Sequence, residues 1–432
     1  MKKVLIITYY WPPSGGAGVQ RWLKFAKYLR QFGWEPVIYT PSDPGFSLID
    51  ETLQADIPEG IEVIKTSIWE PYGLYKKITG QKSTSTINTG FLTHKETVGF
   101  IERLSIWIRG NLFIPDARKF WIKPSAKFLI NYLNSSPVDA IVSTGPPHSM
   151  HMIALKVTER LNIPWLADFR DPWTDFDFYK DMKISAWADR KHKKLELKII
   201  KGSNAVVVVS RDMQINYKNM GGHNVNLVTN GYDSDDIDPG IVERDTKFSI
   251  AHIGSLPPNR NPKLLWIALS RLCESIPTFR NDLEIKLVGQ VDETIFADLA
   301  RFNLAGQVYH ISYVPHNQVS KLMKESAILL LAINNSSNAK GILTGKFFEY
   351  LASGRPVLAI GPKSGDVARI LKDSAAGDIF DYDENIRIED GVKAMYEKYL
   401  RNELNNSAKG IEKYSRKNLT AEIAAILNTI TS

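Results

Sequence analysis

Short apolar runs alternate with longer stretches of helical periodicity along the whole chain. In the first half the runs lie at 4–8, 37–39, 62–65, 140–143, 166–168, 205–209 and 226–229. They are rich in β-branched and aliphatic residues, and helical patterns separate them. This rhythm predicts a parallel, doubly wound α/β sheet.

The same rhythm restarts in the second half, at 248–253, 284–288, 308–311, 328–332 and 357–360. A polar stretch with Pro239 and Gly240 precedes it and predicts a linker near 236–246. At 432 residues the chain exceeds the ~250 to 300 at which single cores stop growing. We therefore expect two Rossmann-like domains, at 1–240 and 241–415, followed by a last helix with no strand after it.

Composition places the chain among folded proteins, with 44% hydrophobic and 23% charged residues. The apolar start of the chain is short and leads into a glycine loop, so we interpret it as a first strand and not as a signal peptide. No apolar stretch approaches the ~20 residues that cross a bilayer. The lone Cys273 cannot form an intrachain disulfide, which indicates a reducing compartment, and we expect a cytoplasmic protein.

The net charge of +7 is distributed unevenly, and no nucleic-acid partner is predicted. Segment 101–130 carries six basic residues against two acids, interleaved with Trp107, Phe113, Phe120 and Trp121. The basic residues are Arg103, Arg109, Arg118, Lys119, Lys123 and Lys127. Such a segment suits an anionic membrane surface, in which case the protein is peripheral on the inner face of the plasma membrane. The alternative is a surface helix pair whose aromatics are core.

The most informative stretch is NAKGILTGKFFEYLASGRPVLAIGP, which begins at Asn338. It predicts a loop, a short amphipathic helix that Thr344 caps, and a buried strand at 357–360. Gly345 would let a ligand approach the first turn, and Lys346 and Glu349 share a helix face. A helix N-terminus beside a fixed cation suits a diphosphate, and the carboxylate one turn on suits a sugar diol. The alternative is an ordinary first-turn lysine and a solvated glutamate.

The run TGKFFEYLASGRPVLA resembles the donor-nucleotide signature of retaining glycosyltransferases of family 4, which have the GT-B fold. The resemblance implies two Rossmann-like domains facing across a cleft, with a terminal helix at about 416–432 packing back on the first. It implies that Glu349 holds the ribose hydroxyls and that Lys346 lies against the diphosphate. The chain has Gly341 where the family has a second glutamate that contacts the transferred sugar, so which sugar is carried stays open.

A glycine-rich loop, WPPSGGAGVQR, follows the first predicted strand. It is not a dinucleotide fingerprint, because Arg21 stands where the third glycine belongs and no ribose acid follows strand two. In the resembled family a double glycine here lies at the boundary between donor phosphate and acceptor, which implies that role for Gly15 and Gly16. A plain tight turn is the alternative.

Two further loops lie at predicted strand ends, where open α/β sheets bind ligands. His148 precedes a helix that Ser149 could cap, and it is either a cleft residue or a surface histidine. Arg170 stands where the family often has a histidine, and it can bind phosphate or carboxylate. Asp171 could orient an acceptor hydroxyl; alternatively, Arg170 forms an ion pair with Asp168 or Asp171.

The loop HIGSLPPNRNP opens the second domain. The family has an arginine directly after the glycine and a lysine further on, and both bind the diphosphate. Here Gly254 is followed by Ser255, and Arg260 is the candidate second phosphate cation, with Ser255 a neutral donor.

The sequence thus predicts a retaining glycosyltransferase that moves a sugar from a nucleotide-diphosphate donor to a lipid-linked or growing surface glycan. No cofactor is predicted, and no metal site is visible. Two alternatives stay open: a sugar-nucleotide 2-epimerase or hydrolase on the same scaffold, and an inactive binding subunit.

Overall fold

The chain forms two compact units. The computed structural model describes residues 1–432 except 47, 71–99, 176–178, 180–181, 238–239, 241 and 406–407. The first unit comprises Met1–Thr229 together with Arg416–Ser432, and the second comprises Asn230–Ser415.

In its described part, the first unit holds a seven-stranded parallel sheet in the order β3-β2-β1-β4-β5-β6-β7. The strands are β1 (Lys2–Ile7), β2 (Trp34–Pro41), β3 (Glu62–Thr66), β4 (Ala140–Gly145), β5 (Trp165–Phe169), β6 (Ala205–Val208) and β7 (Val225–Leu227). Side chains alternate between the two faces of each strand. Leu5 and Ile7 therefore enter the core on one face of β1, while Val4 and Ile6 enter the core on the other.

Helices cover both faces of this sheet. They are α1 (Ala17–Leu29), α2 (Phe100–Asn111), α3 (Lys119–Ser135), α4 (Ser149–Leu161), α5 (Ala186–Gly202), α6 (Arg211–Asn219) and, from the end of the chain, α14 (Arg416–Ile430). The helix α14 packs beside α1, and its Leu419, Ile423 and Leu427 join the core on that face. The predicted terminal helix is therefore part of the first unit.

The described part of the second unit holds a six-stranded parallel sheet in the order β10-β9-β8-β11-β12-β13. The strands are β8 (Phe248–Ile253), β9 (Leu283–Val288), β10 (Val308–Ile311), β11 (Ile328–Ala332), β12 (Val357–Ile360) and β13 (Gly377–Phe380). The sequence pattern does not predict β13, a short edge strand without a fully buried residue. Gly377 permits its pairing, because a side chain there would collide with the backbone of Val357.

The helices of this unit are α7 (Lys263–Ser275), α8 (Pro277–Asp282), α9 (Glu293–Arg301), α10 (His316–Glu325), α11 (Gly345–Ala352), α12 (Asp366–Ser374) and α13 (Asn385–Leu400). One face of the sheet packs on α7 and α13, and the other packs on α11 and α12. Phe347, Phe348, Tyr350 and Leu351 of α11 are completely buried. This packing fixes the short helix against the sheet.

The boundary between the units lies before Asn230, and not between 240 and 241, because the segment after Thr229 packs on the second unit. The side-chain amide of Asn230 donates to the carbonyl of Leu343 at 3.1 Å. The backbone of Tyr232 donates to the carbonyl of Tyr414 at 3.1 Å, and its ring joins the core around α11. The sequence signal at Pro239 and Gly240 marks a later point of this connection.

Each sheet reverses its strand order once in the middle. In the first unit the reversal lies between β1 and β4, and in the second between β8 and β11. Loops leaving the carboxyl ends of two such strands run to opposite sides of the sheet and leave a crevice, where open α/β sheets bind ligands. The loops after β8 and β11 are therefore the first place to look for chemistry in the second unit.

A buried ion pair stabilises the carboxyl edge of the first sheet. The guanidinium of Arg21 lies 2.9 Å from the carboxylate of Asp168, and both side chains are essentially inaccessible. Asp168 also accepts from Trp22 Nε1 at 2.7 Å and from Thr144 Oγ1 at 2.8 Å. Burial alone would raise the pKa of Asp168, but Arg21 and these donors hold it below its usual value.

We expect Asp168→Ala to lower the free energy of unfolding by about 3 to 5 kcal/mol, because the Arg21 cation then stays buried without its partner. Glu35→Ala is the matched control, since it removes the half-exposed Arg30–Glu35 pair, and should cost about 1 kcal/mol or less. Urea unfolding measures both. Stability from Asp168 should be lost as pH falls through its depressed pKa. Equal losses for the two variants would contradict this account of Asp168.

Candidate functional site

The candidate site of the second unit lies where β8 ends. The chain turns at Gly254, whose φ of +117° favours glycine, and its N–H donates to Val288 at 2.6 Å. Gly289 follows β9 and lies directly behind this turn, because a Cβ there would approach the carbonyl oxygen of Gly254 to 2.8 Å. Two glycines thus let the strand ends lie closer together than side chains would permit.

The side chain of Lys346 lies over this turn. A Cβ on Gly254 would overlap the ammonium nitrogen of Lys346 and approach its Cε to 2.7 Å. Only glycine at 254 therefore leaves room for the lysine in this position. The predicted site residues Gly254 and Lys346, which are far apart in sequence, are in contact.

The surroundings of Lys346 disfavour its protonated, positively charged form. Burial, followed by the nearby Arg260 cation, lowers the pKa of Lys346 to about 7, and Glu349 opposes the shift only in part. An ordinary lysine has a pKa near 10.4. An anion at this position would favour the protonated amine. The charges of the free site therefore suit the binding of an anion.

Arg260 is held from the side by the loop after β11. Its Nε donates to Oδ1 of Asn334, which is buried, and the carbonyl of Asn334 accepts from the hydroxyl of Tyr382 at 2.7 Å. The sequence predicts Arg260 as a site residue but does not predict Asn334. Its position just beyond the predicted strand 328–332 was the available signal.

Behind the loop, His252 is buried at the end of β8. Its Nδ1 lies 3.0 Å from the carbonyl of Leu330, and its Nε2 lies 3.4 Å from the carbonyl of Ser255. Burial, with Lys346 and Arg260 adding to it, lowers the pKa of His252 to about 3. A neutral ring can donate to only one of these carbonyls. The shorter contact, from Nδ1 to Leu330, then joins β8 to β11 without adding charge. Ser255 itself is exposed.

The helix α11 carries the other predicted residues. Thr344 occupies the N-cap position, but its side chain makes no capping hydrogen bond, so that part of the prediction is wrong. A Cβ on Gly345 would meet no atom within 4 Å, which means that the space beside the first turn is open. The hydroxyl of Tyr350 accepts from the N–H of Ile253 at 2.9 Å and joins the helix to β8. Glu349 is half-buried one turn beyond Lys346.

In the first unit, Arg170 links two loops. Its guanidinium donates to the carbonyls of Gly18, at 2.6 Å, and Pro146. The alternative of an Arg170–Asp168 ion pair is wrong, because Asp168 is bonded to Arg21 instead. Burial lowers the pKa of Arg170, and the exposed Asp171 is the largest opposing charge.

His148 is buried and stacks face to face on Trp173, with ring centroids 4.4 Å apart. Burial is the main cause that lowers the pKa of His148 well below its ordinary value, and the neighbouring His151 adds to the shift. The ring is therefore neutral. It occupies the N-cap position of α4, and Ser149 is the first residue of the helix and not its cap. The carboxylate of Asp116 accepts from the N–H and the hydroxyl of Ser149, both at 2.8 Å.

The predicted double glycine begins α1. Gly16 is the N-cap residue with a φ of +84°. Gly15 packs under Leu48, since a Cβ there would lie 2.9 Å from Cγ of that side chain. The glycines therefore have a local packing reason, and a ligand role for Gly15 and Gly16 stays a prediction.

The basic segment 101–130 divides into core and surface residues. Trp121 is buried and stacks on Tyr39 at 5.1 Å. Arg118 pairs with Glu70 at 2.9 Å, and Lys119 donates to the carbonyl of Leu112 at 2.7 Å. Phe120 stays exposed, as does Trp107.

The side chains of Glu102 and Arg103 lie outside the described residues. Within the described chain, no helix has the length and apolar character needed to cross a membrane.

Comparison with known proteins gives a match at the level of structure. Neither a scan against protein-family models nor a search of curated proteins finds a match. A glycosyltransferase from Rickettsia africae ESF-5 aligns with a TM-score of 0.65 and 14% identity, over 99% of this chain and 98% of that one. Sucrose-phosphate synthase from Thermosynechococcus elongatus gives 0.64 and 11%, over 99% of both chains.

A third structure is of TarM from S. aureus, in complex with Fondaparinux, alpha-GlcNAc-glycerol and UDP. It aligns with a TM-score of 0.61 and 13% identity, over 99% of this chain and 100% of that one. At such identities the likeness concerns the fold alone. Together with the two parallel sheets, it confirms the predicted fold class, in which two Rossmann-like units make up the GT-B fold.

We expect Lys346 to titrate with a midpoint of about 7 in the ligand-free protein. The pH profile of trace acetic anhydride labelling, resolved by peptide mass spectrometry, measures this, with exposed lysines as the internal reference. Arg260→Gln should raise the midpoint, because it removes a repelling cation, and Glu349→Gln should lower it. A midpoint above 9, or opposite shifts in the two variants, would contradict the described electrostatics.

Proposed function

We propose that the protein is a glycosyltransferase that takes a sugar from a nucleotide-diphosphate donor bound at the second unit. The observation that carries the proposal is the ammonium of Lys346 lying over Gly254 at the strand-order reversal. The GT-B fold adds to it, because the solved structures that share this fold include glycosyltransferases. Fold alone does not fix a reaction, so the proposal depends on the site.

A diphosphate is the ligand that this charge arrangement suits best. Lys346 and Arg260 are close enough to depress the pKa of the lysine, so a ligand with two adjacent phosphates would relieve the repulsion between them. The first turn of α11, beside Gly345, adds backbone N–H groups and the positive end of the helix dipole. Gly254 and Ser255 would lie along the phosphates.

The nucleoside would lie further along α11. Glu349 is one turn beyond Lys346, and its half-buried carboxylate could accept hydrogen bonds from both ribose hydroxyls. Gly341 provides no side chain for the transferred sugar. We therefore propose that backbone groups between Lys340 and Leu343 hold that sugar.

The proposed reaction proceeds with retention, as the sequence resemblance to family 4 implies. The bond between the anomeric carbon and the diphosphate oxygen breaks, and a bond to the acceptor oxygen forms on the same face. The acceptor's proton passes to the leaving phosphate. Lys346 and Arg260 would stabilise the charge that develops there, without a metal ion.

The proposed acceptor is a lipid-linked or growing surface glycan, used at the inner face of the plasma membrane. His148, Arg170 and Asp171 lie at or beyond the carboxyl ends of β4 and β5, with Gly15 and Gly16 beyond β1. We propose this edge of the first unit for acceptor binding. Asp171 is the exposed carboxylate in the set and the candidate to orient the acceptor hydroxyl.

A panel of nucleotide sugars, scored for free nucleotide with and without a membrane extract, tests the function. Release that depends on acceptor is expected. Lys346→Ala should lower kcat by roughly 100- to 1000-fold, the cost of losing one preorganised charge-stabilising donor. Lys372→Ala, at an exposed lysine of α12, should leave kcat unchanged. EDTA should also leave turnover unchanged.

Several outcomes would overturn the proposal. Epimerised sugar without acceptor would indicate the 2-epimerase reaction, and tight binding without turnover would indicate a binding subunit. Normal turnover by Lys346→Ala would move the donor site elsewhere. Loss of activity with EDTA that magnesium or manganese restores would overturn the metal-independent mechanism.

A further inference from the structure

An open groove runs between α3 and α4 on the surface of the first unit, with a volume of about 500 Å³. Its lining includes four basic side chains, two from each helix. Lys123 and Lys127 stand one turn apart on α3, and Lys156 and Arg160 stand one turn apart on α4. All four are exposed.

These four side-chain cations have no partner among the residues that the structure describes. In the described part of the chain, none of them forms a hydrogen bond, an ion pair or a ring contact. Glu159 is the acidic residue in the lining, and its carboxylate is bonded to Lys198 at 2.8 Å. The groove therefore carries a concentrated positive charge that nothing in the described structure neutralises.

This arrangement is unfavourable for the protein by itself. Like charges one turn apart destabilise a helix, and here two such pairs lie on helices that pack together. Other cations of this region have partners within the protein. Arg118 forms an ion pair with Glu70, and Lys119 donates to the carbonyl of Leu112. The unpaired set in the groove thus has no structural reason within the described chain, and an anionic ligand would supply one.

The groove also offers apolar surface. Ala126 and Ile130 line it between the cations. On the same helix, Phe120 and Phe128 remain 43% and 40% exposed. Cations with apolar lining and nearby exposed aromatic rings suit the interface of a bilayer, where phosphate groups lie beside acyl chains. A soluble polyanion would use the charges but not the apolar surface.

We propose that this groove binds the surface of an anionic phospholipid bilayer and takes a lipid phosphate between Lys123, Lys127, Lys156 and Arg160. The proposal rests on the proposed function in one respect, that a lipid-linked acceptor requires the enzyme at a membrane. It places the membrane contact on the α3–α4 face, which shares Lys123 and Lys127 with segment 101–130.

Co-sedimentation with vesicles of phosphatidylglycerol and phosphatidylcholine at low salt tests the proposal. Wild-type protein should bind, and should not bind vesicles of phosphatidylcholine alone. Lys123→Gln with Lys127→Gln should weaken binding about 25-fold, which is roughly fivefold per charge and corresponds to about 1 kcal/mol each. Adding Lys156→Gln and Arg160→Gln should abolish it.

Lys393→Gln with Lys398→Gln is the matched control, because it removes the same charge from exposed positions of α13 in the second unit. Its vesicle binding should equal that of wild type. The groove variants should keep the wild-type melting temperature or exceed it, since they remove repulsion. Affinity for a nucleoside diphosphate should not change, which separates this test from that of the donor site.

Three results would overturn the proposal. The first is wild-type protein that ignores anionic vesicles at low salt, and the second is a fourfold groove variant that binds them normally. The third is equal loss of binding in the α13 control. If soluble polyphosphate binds the groove while vesicles do not, the partner is a soluble polyanion and the bilayer is excluded.

Discussion

The position of the Lys346 ammonium over Gly254 is the constraint on which the candidate site of the second unit depends. Lys346 can lie over the end of β8 only because Gly254 has no side chain and adopts a positive φ. Tyr350 bonds α11 to the backbone of Ile253, and Asn334 holds Arg260 beside the lysine. These contacts bring two cations together at the reversal of strand order. Burial and the repulsion from Arg260 lower the pKa of Lys346, and an anion bound beside it would favour the protonated amine.

The first unit uses its charged residues differently. Asp168 is enclosed by Arg21, Trp22 and Thr144, and the guanidinium of Arg170 donates to loop carbonyls. These side chains build the carboxyl edge of the sheet and do not face solvent as free charges. His148, stacked on Trp173 and neutral, belongs to the same rigid set. What this edge offers a ligand is therefore shape and hydrogen bonding more than charge.

The sequence predicts those parts of the structure whose pattern of apolar and polar residues is local, within one helix or strand. The strand at 357–360 and the helix before it were predicted because their apolar pattern is strong and local. The edge strand β13 has four partly exposed residues and gave no such pattern. Three interactions join residues that are far apart in sequence. They are the hydrogen bond from Ser149 to Asp116, the hydrogen bond from Arg260 to Asn334 and the ion pair of Arg21 with Asp168. Pairings of that kind arise from topology, so periodicity along the chain cannot reveal them.

Proton uptake on ligand binding tests the central claim most directly. At pH 8 the amine of Lys346, with a pKa of about 7, is mostly neutral in the free protein. A diphosphate bound beside it should raise that pKa and draw in up to one proton. Titration calorimetry of a nucleoside diphosphate in buffers of different ionisation enthalpy should then give buffer-dependent heats, and Lys346→Met should remove the dependence. Tight binding with the same heat in every buffer would show that the ligand does not meet this lysine.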